Sequence, residues 1–309
     1  MRDKKYIFLI LKILVTSALF YVIISNVNTA DVFIIIKNVN PIFWFLACLV
    51  SLVQLIITNI RWGMVLEHLN IPISKLKLFS YLWIGMFFNQ ALPSSIGGDA
   101  LRVLYLHKNS EASVVKSTLS VLLDRVMGIT GLVLLIVFST PYLYLKIGYS
   151  NSFLGVIFLL MLMAIGIVIM TTTDLFFKVR EQWKVINLLH QFSKQVRKLL
   201  LTDYNGIKLI SISIVVHSLS VIVVILIAES MLIKVEYTNI LLVTPVAILL
   251  MTIPVSIAGW GVRESVMVAG LGFVGMESEN ALALSIMYGL LVLVFSLPGM
   301  FIWLAIRKS

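Results

Sequence analysis

A single cysteine, Cys48, stands in the sequence, inside an apolar block. An intrachain disulfide is therefore impossible, and a cysteine-based metal cluster has no ligand set. Charge is scarce too: Asp, Glu, Lys and Arg supply 12% of the residues, about half the usual share of a soluble domain. Hydrophobic residues supply 60%. Together these exclude a water-soluble enzyme, a disordered chain and a free nucleic-acid binder. No Gly-x-x-x-x-Gly-Lys-Ser/Thr loop is present, so ATP hydrolysis is not expected. Neither a Gly-x-Ser-x-Gly elbow nor a His-Glu-x-x-His pair appears, and no hydrolase is recognisable. The 13 methionines lie scattered through apolar blocks without Met-x-x-Met or paired histidines. They read as packing, and neither metal nor cofactor is expected.

Long apolar runs are what the chain does have. A stretch of about 20 apolar residues, rising about 1.5 Å per residue, crosses a hydrocarbon core of about 30 Å. Residues 6–25, 41–62, 118–140, 151–172, 207–230 and 281–304 meet that requirement. The first run exceeds the core of a signal peptide, and Asn28 is a poor residue three places upstream of a cut after Thr29-Ala30, so the run reads as an uncleaved helix. Trp44, Trp62 and Trp303 fall near span ends, where amphipathic rings favour the interface.

Two further apolar regions, 77–107 and 239–275, are interrupted by Pro93-Ser94-Ser95-Ile96-Gly97-Gly98-Asp99 and by Pro254-Val255-Ser256-Ile257-Ala258-Gly259-Trp260-Gly261. Proline ends a helix and glycine permits a reversal. Each region reads as two helical pieces joined at depth, a re-entrant or broken-helix hairpin. If both hairpins return to their own side, the termini and the loops around 63–76, 108–117 and 173–206 share one face. That face then holds most of the basic residues, leaving Lys37, Lys146 and Lys234 opposite. A full crossing at 77–107 would instead carry the basic 174–203 segment outside, against the positive-inside rule. Six crossings with both termini cytoplasmic follow. Within 174–203, Leu188, Leu189, Phe192, Val196 and Leu199 alternate with Lys and Arg. That suits either an amphipathic helix facing anionic headgroups or a solvated loop helix.

Pro93-x-Ser95-Ile96-Gly97-Gly98-x-x-x-Arg102 matches Pro254-x-Ser256-Ile257-Ala258-Gly259-x-x-x-Arg263 at identical spacing. Three crossings separate the hairpins, so they enter from opposite sides: an inverted-topology repeat with halves near 1–145 and 146–309. Irregular backbone within a bilayer is tolerated where it is buried in protein or lines a wet cavity. The serines can cap the following half-helix, and the glycines let a ligand approach its amides. Such an N-terminus attracts phosphate, and a guanidinium holds phosphate through parallel hydrogen bonds. Candidate binding residues are thus Asn89, Pro93, Ser95, Gly97, Gly98, Asp99, Arg102, Asp124, Arg125, Pro254, Ser256, Gly259, Gly261, Arg263 and Glu264. The neighbouring carboxylates Asp99, Asp124 and Glu264 either pin the hairpins as neutralised pairs or mark a substrate path. Asn89 and Gln90 can satisfy carbonyls freed by the break or line the cavity. His217, mid-span, reads as a helix-to-helix hydrogen bond in preference to a proton relay.

Phe87 to Arg102, Leu123-Asp124-Arg125 and Pro254 to Glu264, with Arg61-Trp62 closing the second span, resemble the motifs of the flippase-like family. That family is the transmembrane region of lysylphosphatidylglycerol synthases, also found as stand-alone proteins. The resemblance covers almost the whole chain. It implies an inner-membrane protein that moves, or helps move, a phospholipid or polyprenyl-type lipid between leaflets. Bifunctional synthases continue into a soluble aminoacyl-transferase domain. This sequence ends at Ser309, so lysine transfer from tRNA is not expected of it.

The combined expectation is an all-α polytopic membrane protein, a single transmembrane domain exposing a central polar cavity alternately to each leaflet. Arg102 and Arg263 would hold an anionic or lipid-linked phosphate headgroup, with Arg125 assisting. Two alternatives stay open: a membrane-embedded transferase acting on lipid-linked substrates, and a non-catalytic partner presenting lipid to a glycosyltransferase or other envelope-lipid enzyme.

Overall fold

In hydrocarbon a helix satisfies its own backbone hydrogen bonds, which an open sheet edge does not. The structure, a computed structural model, accordingly joins helices by short turns, and no strand occurs among the described residues, 2–92, 97–176 and 184–308. The expected site residues Pro93 and Ser95 lie outside the described residues, as does 177–183 within the basic segment. In chain order the helices are α1 (Arg2–Ser25), α2 (Thr29–Lys37), α3 (Pro41–His68), α4 (Lys75–Ala91), α5 (Gly97–Asn109), α6 (Val114–Ile147) and α7 (Asn151–Phe176). They continue as α8 (Lys184–Leu201), α9 (Tyr204–Ser230), α10 (Tyr237–Met251), α11 (Val262–Phe273), α12 (Ser278–Ser296) and α13 (Pro298–Lys308).

Among the described residues, α3, α6, α7, α9 and the α12–α13 stretch are long and apolar enough to cross a membrane. A sixth crossing arises if α1 and α2, bent by 91° at their junction, form one broken span. The chain is a polytopic all-α membrane protein. Apolar periodicity gave no reason to expect α2. Local chemistry builds it: Asn28 Oδ1 accepts the Ala30 amide at 3.1 Å, and Asp31 and Lys37 oppose the two ends of the helix dipole. α2 then packs on α12, where Glu279 Oε1 accepts the Asn28 amide at 3.2 Å.

Two compact units gather these segments. One comprises Met1–Leu55, Ser80–Leu101 and Ser218–Ser309; the other comprises Ile56–Phe79 and Arg102–His217.

In the first unit the arms of each broken region meet closely. A Cβ at Gly98 would lie 1.9 Å from the Gly85 carbonyl oxygen, so glycine here lets α5 approach the backbone of α4. Its expected use, admitting a ligand, gives way to helix packing. Asn89 Oδ1 accepts the Gly98 amide at 2.9 Å and so occupies a donor at the start of α5. Asn89 thus satisfies a freed N–H, a partner other than the freed carbonyls or the cavity lining expected of it. Gly98→Ala should lower the melting temperature of detergent-solubilised protein by the equivalent of about 1–3 kcal/mol, because backbone cannot yield as a side chain does. An unchanged melting curve would contradict this contact.

The second broken region passes from α10 to α11 through residues 252–261, with positive φ at Ala258 (51°), Gly259 (79°) and Gly261 (83°). Glycine relieves two of these three left-handed positions. The loop rests on α1: the Ile257 amide donates to Thr16 Oγ1 at 3.2 Å, and Trp260 stacks on Phe20. Ser256 was expected to cap α11, yet its hydroxyl is buried without a hydrogen-bond partner. Glu264 takes that role, its Oε2 accepting the Gly261 amide at 2.6 Å. An ionised carboxylate is the stronger acceptor for an amide at a helix N-terminus.

In the second unit α6 is the core helix, with Leu119, Leu123, Met127, Leu132 and Ile136 fully buried. α8 packs against α6 and α7. Its Val196 and Leu199 are buried in protein, while Lys194 and Lys198 remain exposed. The apolar face of this segment, for which a lipid-facing and a solvated helix were both open, is thus partly consumed by neighbouring helices. Asp174 at the end of α7 fixes α8, accepting Arg197 Nη1 and Ser193 Oγ, each at 2.9 Å.

Candidate functional site

Ionised groups inside apolar helices cost several kcal/mol each unless they are paired. The structure places two such groups of residues, one in each unit.

The group in the second unit centres on Asp124, which is 2% exposed on α6. Arg61 Nε donates to its Oδ1 at 2.8 Å, and Arg102 Nη2 donates to its Oδ2 at 2.9 Å. One carboxylate is therefore divided between two buried guanidinium groups. Arg61 reaches onward, donating through Nη1 to Ser213 Oγ of α9 at 3.2 Å. Glycine makes the room: a Cβ at Gly128 would stand 3.0 Å from Arg61 Nη1. His217 Nε2 lies 3.1 Å from the Gly128 carbonyl oxygen, the helix-to-helix bond expected of it. The Arg102 guanidinium lies 4.0 Å from the centroid of the Trp62 ring, a favourable placement of cation over aromatic face.

Three expectations change here. Arg102 takes Asp124 as a carboxylate partner from 22 residues away, a pairing its spacing from Asp99 did not indicate. Asp99 is buried in the first turn of α5, where the helix dipole favours a negative charge. Trp62, read as an interfacial residue, is fully buried, because α3 runs on to His68 and carries it inward. That same extension puts Arg61 at the centre, a residue absent from the expected set. A charged residue ending an apolar run, together with the place of Arg61-Trp62 in the family resemblance, was the available signal. Arg125, about 100° around α6 from Asp124, is half-buried.

The group in the first unit is built on the start of α11. Arg263 and Glu264 are 2% and 0% exposed. Arg263 Nε donates to Glu264 Oε1 at 3.0 Å, and Nη2 bonds the same oxygen. Ser285 Oγ of α12 stands 3.4 Å from Arg263 Nε and 3.5 Å from Glu264 Oε1. The guanidinium lies 4.5 Å from the Trp260 ring centroid. A Cβ at Gly289 would fall 1.9 Å from Arg263 Nη2, so α12 closes directly over the ion pair. Gly259 and Gly261 are buried and Pro254 half-buried in the preceding loop. Gly97 is half-buried at the start of α5.

The two arginines share a chemical pattern: each bonds a carboxylate and lies over a tryptophan. They differ in what surrounds them. Arg263 and Glu264 form a closed one-to-one pair that also caps its own helix, whereas Arg102 shares Asp124 with a second arginine. Metal-binding groups of three or more His, Cys, Asp or Glu are absent among the described residues.

A UPF0104 membrane protein of Pyrococcus horikoshii is 27% identical over 150 residues, spanning 48% of this chain and 43% of that protein. A UPF0104 membrane protein of Methanothermobacter thermautotrophicus is 25% identical over 126 residues, spanning 40% of this chain and 36% of that protein. The matched part of the chain thus spans less than half the length of either curated relative. A broader match spans the buried arginines, both broken regions and all but the ends of the sequence, residues 9–299: the chain belongs to the family described as the lysylphosphatidylglycerol synthase transmembrane region.

Proposed function

We propose that this protein moves a lipid with a phosphate headgroup between the leaflets of a cytoplasmic membrane, and that Arg102 receives the phosphate. The family supports a role in lipid handling. The observation that carries the rest is the shared carboxylate. Arg102 is held by Asp124, and Asp124 also has Arg61. Arg102 can therefore exchange its carboxylate for a phosphate while Asp124 keeps a cationic partner. A guanidinium bonded to an incoming phosphate through two parallel N–H groups recovers the interaction it gives up. Arg263, with Nε and Nη2 committed to Glu264 and α12 closed over it, serves in this reading to pin the second broken region. The matched proline-to-arginine motifs and the basic bias support an inverted repeat with cytoplasmic termini, the architecture that exposes one site to either side in turn.

The test is reconstitution into vesicles of phosphatidylcholine and phosphatidylglycerol carrying a fluorescent phosphatidylglycerol, with leaflet exchange followed by chemical quenching. Arg102→Gln leaves the Arg61–Asp124 pair intact, so folded protein is expected. Loss of a charged hydrogen-bonding contact costs about 1.5–3 kcal/mol, or about 10- to 150-fold in exchange rate. Exchange at the wild-type rate by folded Arg102→Gln would refute the proposal. So would chemical conversion of the labelled headgroup, which points to a transferase.

A further inference from the structure

The second buried arginine of the Asp124 group, Arg61, has no place among the residues that motif spacing singled out. Its side chain is 8% exposed and closely fitted, with Nε on Asp124, Nη1 on Ser213 and the Gly128 backbone against the guanidinium. Nothing in this set gives it a contact with a headgroup. Its carboxylate partner is Asp124: it bonds one oxygen and leaves the other to Arg102.

We infer that Arg61 is the positioning residue of the lipid site, a resident counter-cation that keeps Asp124 paired whenever Arg102 is engaged by a headgroup. This rests on the reading of Arg102 as the phosphate ligand and deepens it. A carboxylate stripped of its cation inside an apolar helix bundle costs several kcal/mol. With Arg102 as the sole counter-ion, that cost would fall due at every substrate capture, and Arg102 would stay locked to Asp124. Arg61 removes the cost because its own bond to Oδ1 is undisturbed when Oδ2 is vacated. Ser213 and Gly128 hold the guanidinium in place, so Arg61 does not follow Arg102. The arrangement selects for an anion able to displace a carboxylate from arginine.

The consequence is a defined pattern across variants, read as phosphatidylglycerol retained by purified protein in native mass spectrometry and as exchange of the fluorescent phosphatidylglycerol. In Arg61→Gln, Asp124 has lost its resident partner and holds Arg102, so retention and exchange should fall about tenfold or more. Adding Asp124→Asn removes that carboxylate's hold on Arg102, and Arg61→Gln/Asp124→Asn should recover phosphatidylglycerol retention to within about threefold of wild type. Arg61→Lys keeps the charge beside Asp124 while giving up the two-armed hold, and should keep at least about a third of the wild-type exchange.

Wild-type retention in folded Arg61→Gln would overturn the inference, as would a double variant no better than the single one. A purely architectural Arg61 predicts that second result, since nothing would replace its bond to Ser213. Should Arg61→Gln fail to fold, Arg61→Lys decides: exchange reduced tenfold or more would mean that the fork and not the charge matters. The reading of Arg102 itself fails separately, through wild-type exchange in Arg102→Gln whatever the Arg61 series shows.

Discussion

Asp124→Ala should be among the most destabilising single substitutions in the second unit. It removes the carboxylate that Arg61 and Arg102 share, in surroundings where all three side chains are less than a tenth exposed. Breaking a buried ion pair by deleting one partner costs about 3–5 kcal/mol, and here one deletion breaks two pairs. The expected result is a large drop in melting temperature in detergent, with α3, α5 and α6 losing their common anchor. Adding Arg61→Met should recover a substantial part of the loss, because one stranded charge is then gone and a flexible apolar side chain fills its volume. A melting temperature unchanged in Asp124→Ala would mean that water reaches the group and solvates it. The same result would remove the energetic reason for sharing the carboxylate.

Glu264→Ala should be comparably severe in the first unit, for a different combination of reasons. The carboxylate neutralises Arg263 and accepts the Gly261 amide at the N-terminus of α11. Loss of the pair strands a guanidinium that is 2% exposed, at about 3–5 kcal/mol, and loss of the cap adds about 1 kcal/mol. Glu264→Gln keeps an acceptor for the amide while discarding the charge, and should fall between Ala and wild type. Arg263→Met/Glu264→Leu should melt above either single charge deletion, since an apolar pair leaves no buried ion. Below its melting temperature that double variant should still retain phosphatidylglycerol, because the headgroup is assigned to Arg102. Loss of retention in the folded double variant would return Arg263 to the binding site.

Much of the architecture was legible because hydrophobic run length and charge bias are properties of whole segments, insensitive to single contacts. The second broken region was legible for a similar reason, since Pro254, Gly259 and Gly261 act locally on the backbone. What escaped was whatever depends on partners distant in sequence. Spacing offered Asp99 as the neighbour of Arg102 but gave no sign of the bond that runs from Arg102 to Asp124 on another helix. Arg61 was visible as a charge at the end of an apolar run and, with Trp62, as part of the family resemblance, but neither gave it a partner, and two further turns of α3 turned that end into an interior. Trp62 moved with it, from a supposed interface to the face beneath Arg102. Ser256 had the right chemistry to cap α11, but a carboxylate three residues past Gly261 competes for the same amide and wins. α2 was missed because a helix of this length is set by its cap and its docking on α12, neither of which leaves an apolar period to read.

The support that α1 gives to the second broken region has a bearing on biogenesis. The hydroxyl of Thr16 and the amide of Ile257 that meet there are separated by 241 positions. During synthesis α1 enters the bilayer long before the loop it will steady exists, and most of the remaining helices must be threaded in between. Until then the left-handed turns around Ala258, Gly259 and Gly261 have no platform to settle on. Contacts of such long range form late, after loop closure has been paid for by the segments between them. The turns of this loop therefore gain their support on α1 only after every helix between the two has been made.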